Sequence, residues 1–490
     1  MRDRGRPKAV AMACALLALA APSISAAELF VDATEASGIG LHSQALGVTA
    51  ADFDGDGDVD LVFADTSDAE MLLYRNEGGL VFEPEVVAGP QTNVEFAAPI
   101  DYDGDGDLDL ICGGWPRKWS LLANGGDGTF EDATATRGLA TQEAVETAGI
   151  AVGDVDVDGD LDVYLGRGRL PDVLYLNDAG RSFVSAEGTL WASGLLPEAT
   201  GTEHALFADL TGDARPDLWV SRYGHECTYY VNDPHGTLVD ESERRGLWDL
   251  GPDFGSAVID ADGDGDTDLY LIRGGWHRDT NRLLLNDGKG AFLPGTEASG
   301  LGDEGTGFGC AVGDVDLDGD EDLYITNDGS GNRLFLSDGR GRFVDVTPEA
   351  LRLAGTSTRG AVLADLDGDG DLDLVVRCRR AHDRVFRNTT DSPNWLKVRV
   401  DGPGLNRFGI GARVRVFDGG SLGDLAHLRG QREIVAACGW CSAPPPEAHF
   451  GLPADGRYDV EVVLPGGTTW TATDVPATQT LVVSSPVAGP

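Results

Sequence analysis

An acidic nine-residue pattern, D-x-D-x-D-G-D-x-D, recurs seven times along the chain, with first aspartates at Asp52, Asp101, Asp154, Asp209, Asp260, Asp314 and Asp365. Successive copies lie 49 to 55 residues apart. Self-similarity at such a period marks a repeat architecture, in which each unit is one supersecondary block that buries its apolar face only against its neighbours. Carboxylates this close repel by roughly 1 to 4 kcal/mol per adjacent pair at effective dielectrics of 80 to 20. The pattern therefore demands a cation.

The residues around each loop repeat as well. A short Gly/Ala-rich apolar run precedes it (GVTAAD, GIAVGD, GSAVID, GCAVGD, GAVLAD), and a β-rich run follows (LVFAD, LICGG, VYLG, LWVS, LYLI, LYIT, LVVR). A third run ends at Asn/Gly-rich turns such as LYLNDAG and LLLNDGKG, where Asn-Asp-Gly chemistry is expected to supply positive φ. A fourth run, as in GTFEDAT and GRFVDVT, completes four strands per repeat, the content of one propeller blade. The seventh copy stops after DRVFRNTT at 383–390 without a fourth strand, while ELFVDATEASGIG at 28–40 has the sequence of one with no partners of its own. The reading is an all-β, seven-bladed β-propeller over 28–390, closed by its N-terminal strand so that no sheet edge is left open.

Numbered from its first Asp, each loop offers side-chain oxygens at positions one, three, five and nine and a backbone carbonyl at seven, with Gly at six for the sharp turn. The candidate metal ligands are Asp52, Asp54, Asp56, Asp58 and Asp60; Asp101, Asp103, Asp105, Asp107 and Asp109; Asp154, Asp156, Asp158, Asp160 and Asp162; Asp260, Asp262, Asp264, Asp266 and Asp268; Asp314, Asp316, Asp318, Asp320 and Asp322; and Asp365, Asp367, Asp369, Asp371 and Asp373. Copy four reads DLTGDARPD and retains Asp209, Asp213 and Asp217, with Ala214 where Gly is wanted and Arg215 at position seven, whose guanidinium could stand in for an ion. An oxygen-only, carboxylate-rich set suits calcium better than magnesium, which keeps its waters and demands stricter geometry, and about six or seven ions are expected. Loop four should release its ion first. These loops resemble those of FG-GAP/VCBS repeats, the integrin-like propeller blades. The resemblance implies that the calcium loop joins the innermost strand to the second and that ligands meet the opposite face.

After Thr390 the acidic period ends. Alternation in LKVRV, ARVRVF and YDVEVVL reads as half-buried strands of a small antiparallel β domain over 391–490. Trp395-Leu396-Lys397-Val398, Asn406, Gly409, Gly411-Ala412 and His449-Phe450-Gly451-Leu452 resemble the ASPIC/UnbV domain. Propeller plus this domain is similar to the cartilage acidic protein family and its bacterial relatives, which implies an extracellular, calcium-binding, adhesion or matrix-like role. Where that family carries a Gly-aromatic-Ser stretch, this chain reads CGWCSAPPP. Cys438 and Cys441 are expected to form a small structural disulfide rather than a redox or metal pair. Cys112, Cys227, Cys310 and Cys378 fall in four different blades and read as small buried hydrophobes.

Composition bounds the partners. With 82 Asp and Glu against 37 Lys and Arg, the net charge of −45 excludes a nucleic-acid role, which needs a basic footprint. Residues 1–27 read as a signal peptide, with Arg2, Arg4, Arg6 and Lys8 before AVAMACALLALAA and a small-residue cleavage site, so the chain is expected to be exported to a periplasm, a cell surface or the medium. No stretch is long enough for a transmembrane helix. The scarce basic residues cluster with Trp in the loops between second and third strands, giving a candidate ligand face of Trp115, Arg117, Trp119, Arg167, Arg222, Trp276, Arg278 and Arg379. Guanidinium forks suit carboxylates or sulfates, so the expected partner is an anionic glycan or an extracellular protein surface. The eight histidines show no catalytic motif. The function expected is a secreted calcium-binding adhesion, glycan-binding or scaffold module, the alternative being a calcium-dependent polysaccharide lyase or sugar dehydratase-like enzyme with His225 or His277 as base.

Overall fold

The computed structural model describes residues 29–484, apart from residues 43, 66–70, 88–92, 115–118, 140–146, 169, 190–191, 196–200, 223, 248–250, 274–278, 391–393, 403 and 454–455. The candidate signal peptide lies outside the described residues. Seven antiparallel sheets follow one another along the chain. Blade one is typical: inner strand Ala45–Ala51, then Asp60–Asp65, Leu72–Asn76 and outer strand Phe82–Val86. Blade seven takes Ser357–Ala364, Asp373–Arg379 and Arg384–Asn388 from one end of the chain and Phe30–Asp32 from the other, with Phe30 opposite Asn388. The inner strands neighbour one another in sequence order, and Ser357–Ala364 packs back on Ala45–Ala51, so the sheets close into a ring.

The Gly/Ala-rich composition of the inner strands follows from crowding at the axis of that ring. A Cβ on Gly309 would lie 2.7 Å from the Arg359 carbonyl of the next blade, and one on Gly360 2.7 Å from that of Leu46. Bulkier residues further out fill the space between sheets, where Phe53, Leu110 and Phe130 from adjoining blades share one buried cluster. At roughly 25 cal/mol per Å² of apolar area, burial in these inter-blade layers stabilises the ring.

The C-terminal domain is built on its own core, including Val414, Val416, Phe450, Val460 and Trp470. One sheet runs Leu428–Glu433, Arg413–Asp418, Arg457–Val463, Thr469–Pro476. The other runs Ala448–Gly451, Trp395–Asp401, Gln479–Ser484. The expectation of a purely antiparallel domain needs correction, because Trp395–Asp401 pairs parallel with Gln479–Ser484. A parallel pair needs a long crossover, and almost the whole domain supplies it. Alternation alone does not distinguish the two orientations.

Residues 434–443 between these sheets leave the domain and enter the propeller. Gly439 donates to the Ser256 carbonyl in blade five and abuts Cys310 in blade six, Ser442 and Ala443 pair parallel with Val48 and Thr49 in blade one, and Gly360 of blade seven abuts the Ser442 hydroxyl. A segment that touches the inner strands of four blades can run only along the ring's axis. It is a plug, with Trp440 packed 5.6 Å from Phe308.

Candidate metal centres and the domain that covers them

Every acidic loop joins an inner strand to the second strand of its blade, as in Asp52 to Asp60 between Ala45–Ala51 and Asp60–Asp65. The loops fold on their own carboxylates. Asp101 accepts from the amides of Gly104 and Gly106 at 2.8 and 3.3 Å, and Asp154 from those of Asp158 and Gly159. Position six has positive φ in all seven copies, which is why Gly recurs there. Position four does too, and there two copies carry Val157 (φ 62°) and Leu317 (φ 59°). Such backbone is costly for a bulky residue. Both residues press against the C-terminal domain, Val157 with its side chain at Gly466 and Leu317 with its backbone at Gly451.

Positions one, three and nine converge. Their oxygens lie within 4.8 Å of one another in Asp52/Asp54/Asp60, Asp101/Asp103/Asp109, Asp154/Asp156/Asp162, Asp260/Asp262/Asp268 and Asp314/Asp316/Asp322. Position five instead accepts the amide of position seven, as Asp105 does from Asp107 at 3.0 Å, and so shapes the turn. Position seven turns toward the adjoining hairpin, where Asp160 accepts from the Ala179 amide. Buried carboxylate oxygens without a hydrogen-bond partner recur at position three, in Asp103, Asp156, Asp262 and Asp316, and at position one in Asp260 and Asp365. Burial pushes the carboxyls up, to about 7 for Asp101 and Asp260, about 8 for Asp109 and Asp314, and about 9 for Asp373. Oxygen-only clusters with unspent lone pairs and a strained negative charge fit a hard divalent cation.

Position nine has a second duty that the sequence did not reveal. In each blade this carboxylate accepts two backbone amides: Asp60 takes those of Phe53 and Asn76 at 2.9 and 2.8 Å, and Asp162 those of Val155 and Asn177. The Asn at the end of the third strand then bridges to the neighbouring blade. Asn124 donates to the Phe53 carbonyl at 2.7 Å, Asn177 to Tyr102, Asn232 to Val155, Asn286 to Leu210, Asn388 to Val315, and Asn76 to Leu366 across the closure of the ring. Ser337 replaces Asn in blade six, and the Gly341 amide supplies the bond to Ala261. The positive φ expected of these Asn/Gly-rich turns is present. Positive φ falls on Gly78, Gly126 and Gly288, while the Asn is selected for its amide side chain.

Loop four is neutralised from outside. Arg215 pairs with Asp213 at 3.8 Å, with both side chains partly exposed. The guanidinium that meets Asp209, at 3.1 Å, belongs to Arg413 of the C-terminal domain. Glu433 accepts the Asp209 amide and is pushed by burial up to about 8. Asp217 is further saturated by the Tyr229 hydroxyl at 3.1 Å. The expected stand-in for the ion was right in kind and wrong in residue.

Arg413 is one contact among many, because the C-terminal domain sits on the acidic loops. At position six, the Gly159 carbonyl accepts the amides of Leu405 and Asn406, Ala214 that of Gly466, Gly265 the Arg415 guanidinium, and Gly319 that of Arg432, while the Gly370 carbonyl meets His449 Nε2 at 2.9 Å. Arg407 lies against Gly106 in loop two. Lys397 Nζ is 2.6 Å from Asp365, and the Gly451 amide 2.7 Å from Asp314. Lys397, Asn406, His449 and Gly451, the residues that carried the domain resemblance, all serve this contact or its scaffold.

Of the candidate ligand face, four residues fall within the described part of the chain, and each is engaged by the protein itself. Arg222 is 3% exposed and bonds to the Tyr230 hydroxyl, and Trp119 is 2% exposed and packs on Tyr175. Arg167 turns back on the Pro171 carbonyl, and Arg379 bonds to Gln44. Trp115, Arg117, Trp276 and Arg278 lie outside the described residues, as does His277. Arg273, Arg359 and Arg377 are buried in ion pairs with Asp279, Asp328 and Asp383. Strand-end arginines in so acidic a chain find carboxylates at home. Cys310, Cys438 and Cys441 all carry free thiols in the structure, and Cys438 and Cys441 pack in different clusters.

This geometry, a ring of four-stranded sheets with an acidic loop after each inner strand, defines an FG-GAP-type β-propeller carrying a C-terminal cap. FG-GAP-like repeats match residues 52–112, 101–165, 260–325 and 314–376, and the ASPIC and UnbV family matches 402–490. The chain is accordingly an FG-GAP-like repeat protein with an ASPIC/UnbV domain, homologous over most of its length to cartilage acidic protein 1. It is 26% identical over 450 residues to the mouse protein, covering 87% of this chain and 62% of that one, and 27% identical over 462 residues to the human protein, covering 87% and 60%. The chain thus spans about three fifths of the length of these relatives. Similar solved structures include a lectin of Agrocybe aegerita recognising terminal N-acetylglucosamine (18% identity, 70% of this chain and 94% of that one, TM-score 0.46). Another is YCF48 from Cyanidioschyzon merolae (12%, 74% and 100%, TM-score 0.43).

Proposed function

We propose that this protein is an exported, calcium-stapled propeller that serves as a binding or scaffold module, meeting an anionic glycan or an extracellular protein on the face away from its loops. One observation carries the reading: the ASPIC/UnbV domain sits on the acidic loops and bonds to the sixth residue of five of them. Carboxylates enclosed in this way hold ions for structure rather than presenting them to substrate. Calcium would be held by the position-one, position-three and position-nine aspartates, where it supplies the charge that lets them stay ionised at neutral pH. The net charge of −45 is in keeping with similarity to cartilage acidic protein 1. Among the described residues, His204 is buried with its pKa pushed down to about 3, and His225 is exposed while Arg222 is buried. Neither favours the lyase reading.

Glycan-array binding in calcium and in chelator, with soluble products read by mass spectrometry, tests this proposal. Calcium-dependent retention of an acidic glycan without cleavage is the expected result. Shortened or unsaturated products would overturn it in favour of an enzyme.

A further inference from the structure

The plug brings one cysteine of the CGWC motif to a cysteine of the propeller wall. Cys310 lies in the inner strand Gly307–Gly313 of blade six and is fully buried. The backbone of the plug abuts it so closely that a Cβ on Gly439 would lie 2.6 Å from both the Cys310 amide nitrogen and its carbonyl oxygen. The Cys438 thiol points at Cys310, with its sulfur 4.0 Å from that carbonyl, and the two cysteines share one apolar cluster. The Cys310 thiol is pushed up first by its contact with the Cys438 thiol and then by burial. Cys441, by contrast, has Glu95, Glu203 and Arg359 for electrostatic neighbours and hands its carbonyl to Val48. Trp440 separates the two arms of the CGWC turn, and Cys441 itself sits at φ 57°.

We propose that Cys310 and Cys438 form a disulfide that locks the plug to blade six, fastening the ASPIC/UnbV domain covalently to the propeller in an oxidising compartment. The chemistry is thiol–disulfide exchange with a small disulfide such as oxidised glutathione. One sulfur–sulfur bond forms between the two cysteines, the glutathione disulfide bond breaks, and the two thiol protons and two electrons leave with two molecules of reduced glutathione. Because both sulfurs are buried in the finished fold, exchange takes place while the plug is entering the ring. The lock is independent of the ligand proposed above and holds whether or not the propeller binds a glycan.

The full chain, unfolded in urea and refolded with calcium in a glutathione redox buffer, is alkylated and mapped by non-reducing peptide mass spectrometry, alongside C441S. The expected result is a peptide pair joining Cys310 to Cys438 in most molecules, equally in C441S, with the other cysteines alkylated. In chelator, the oxidised chain should melt higher than the same chain reduced with dithiothreitol. A Cys438–Cys441 link, or full alkylation of both Cys310 and Cys438 after folding is complete, overturns the proposal.

Discussion

Asp209 shows how a single side chain decides the fate of a loop. Its copy lacks the position-three carboxylate, and Arg413 supplies the missing charge at 3.1 Å from another domain. Breaking a largely buried pair by removing one partner leaves an uncompensated charge and costs about 3 to 5 kcal/mol. R413M should lower stability by that order at pH 8, measured by urea unfolding. The loss should shrink toward pH 5, because Asp209 and Glu433 are both raised and take up protons that relieve the repulsion. The latch asparagines make a second residue-scale prediction. Asn232 satisfies the Val155 and Pro216 carbonyls, so N232A leaves two buried acceptors unpaired and should cost at least about 2 kcal/mol. N232D should not rescue it, since a carboxylate has no N–H to give.

At the scale of the element, the loop, the hairpin and the plug are each held by something distant in sequence. Val157 and Leu317 keep positive φ because the cap presses on them, and Asn76 closes the ring by bonding to Leu366. The plug is the most exacting case. Gly439 has φ 67° and no room for a Cβ against Cys310, so G439A should expel the segment. Limited proteolysis would then cut G439A within 434–446 and release the C-terminal domain, while the wild type stays intact. Equal cleavage of both would contradict the plug.

Over the whole molecule, much of the propeller was legible because its signal is repeated. Seven copies of one pattern outweigh any local ambiguity, and the orphan strand at 28–40 showed how the ring closes. The ring's covering was not legible. Nothing local in VAACGWCSAPPP or in Lys397 says that the one fills an axis and the other meets Asp365, because both depend on a partner more than thirty residues away. The surroundings of the arginines were not legible for a related reason. Composition shows that arginines are scarce, but burial decides whether they face solvent or a carboxylate, as Arg222 and Arg377 show.

The same logic fixes the pH dependence of the metal-free protein. Its loop carboxyls have folded values raised to about 7 to 9, above the ordinary range near 4, so the folded state binds more protons than the unfolded chain between those limits. Stability is therefore fully present at low pH and lost as pH rises through that window. Thermal unfolding at pH 7.5 in millimolar calcium and in excess chelator tests the central claim most directly. The account predicts a melting temperature lower by at least about 10 °C in chelator, with much of the gap closing at pH 5.5. Identical melting in calcium and chelator at pH 7.5 would contradict it.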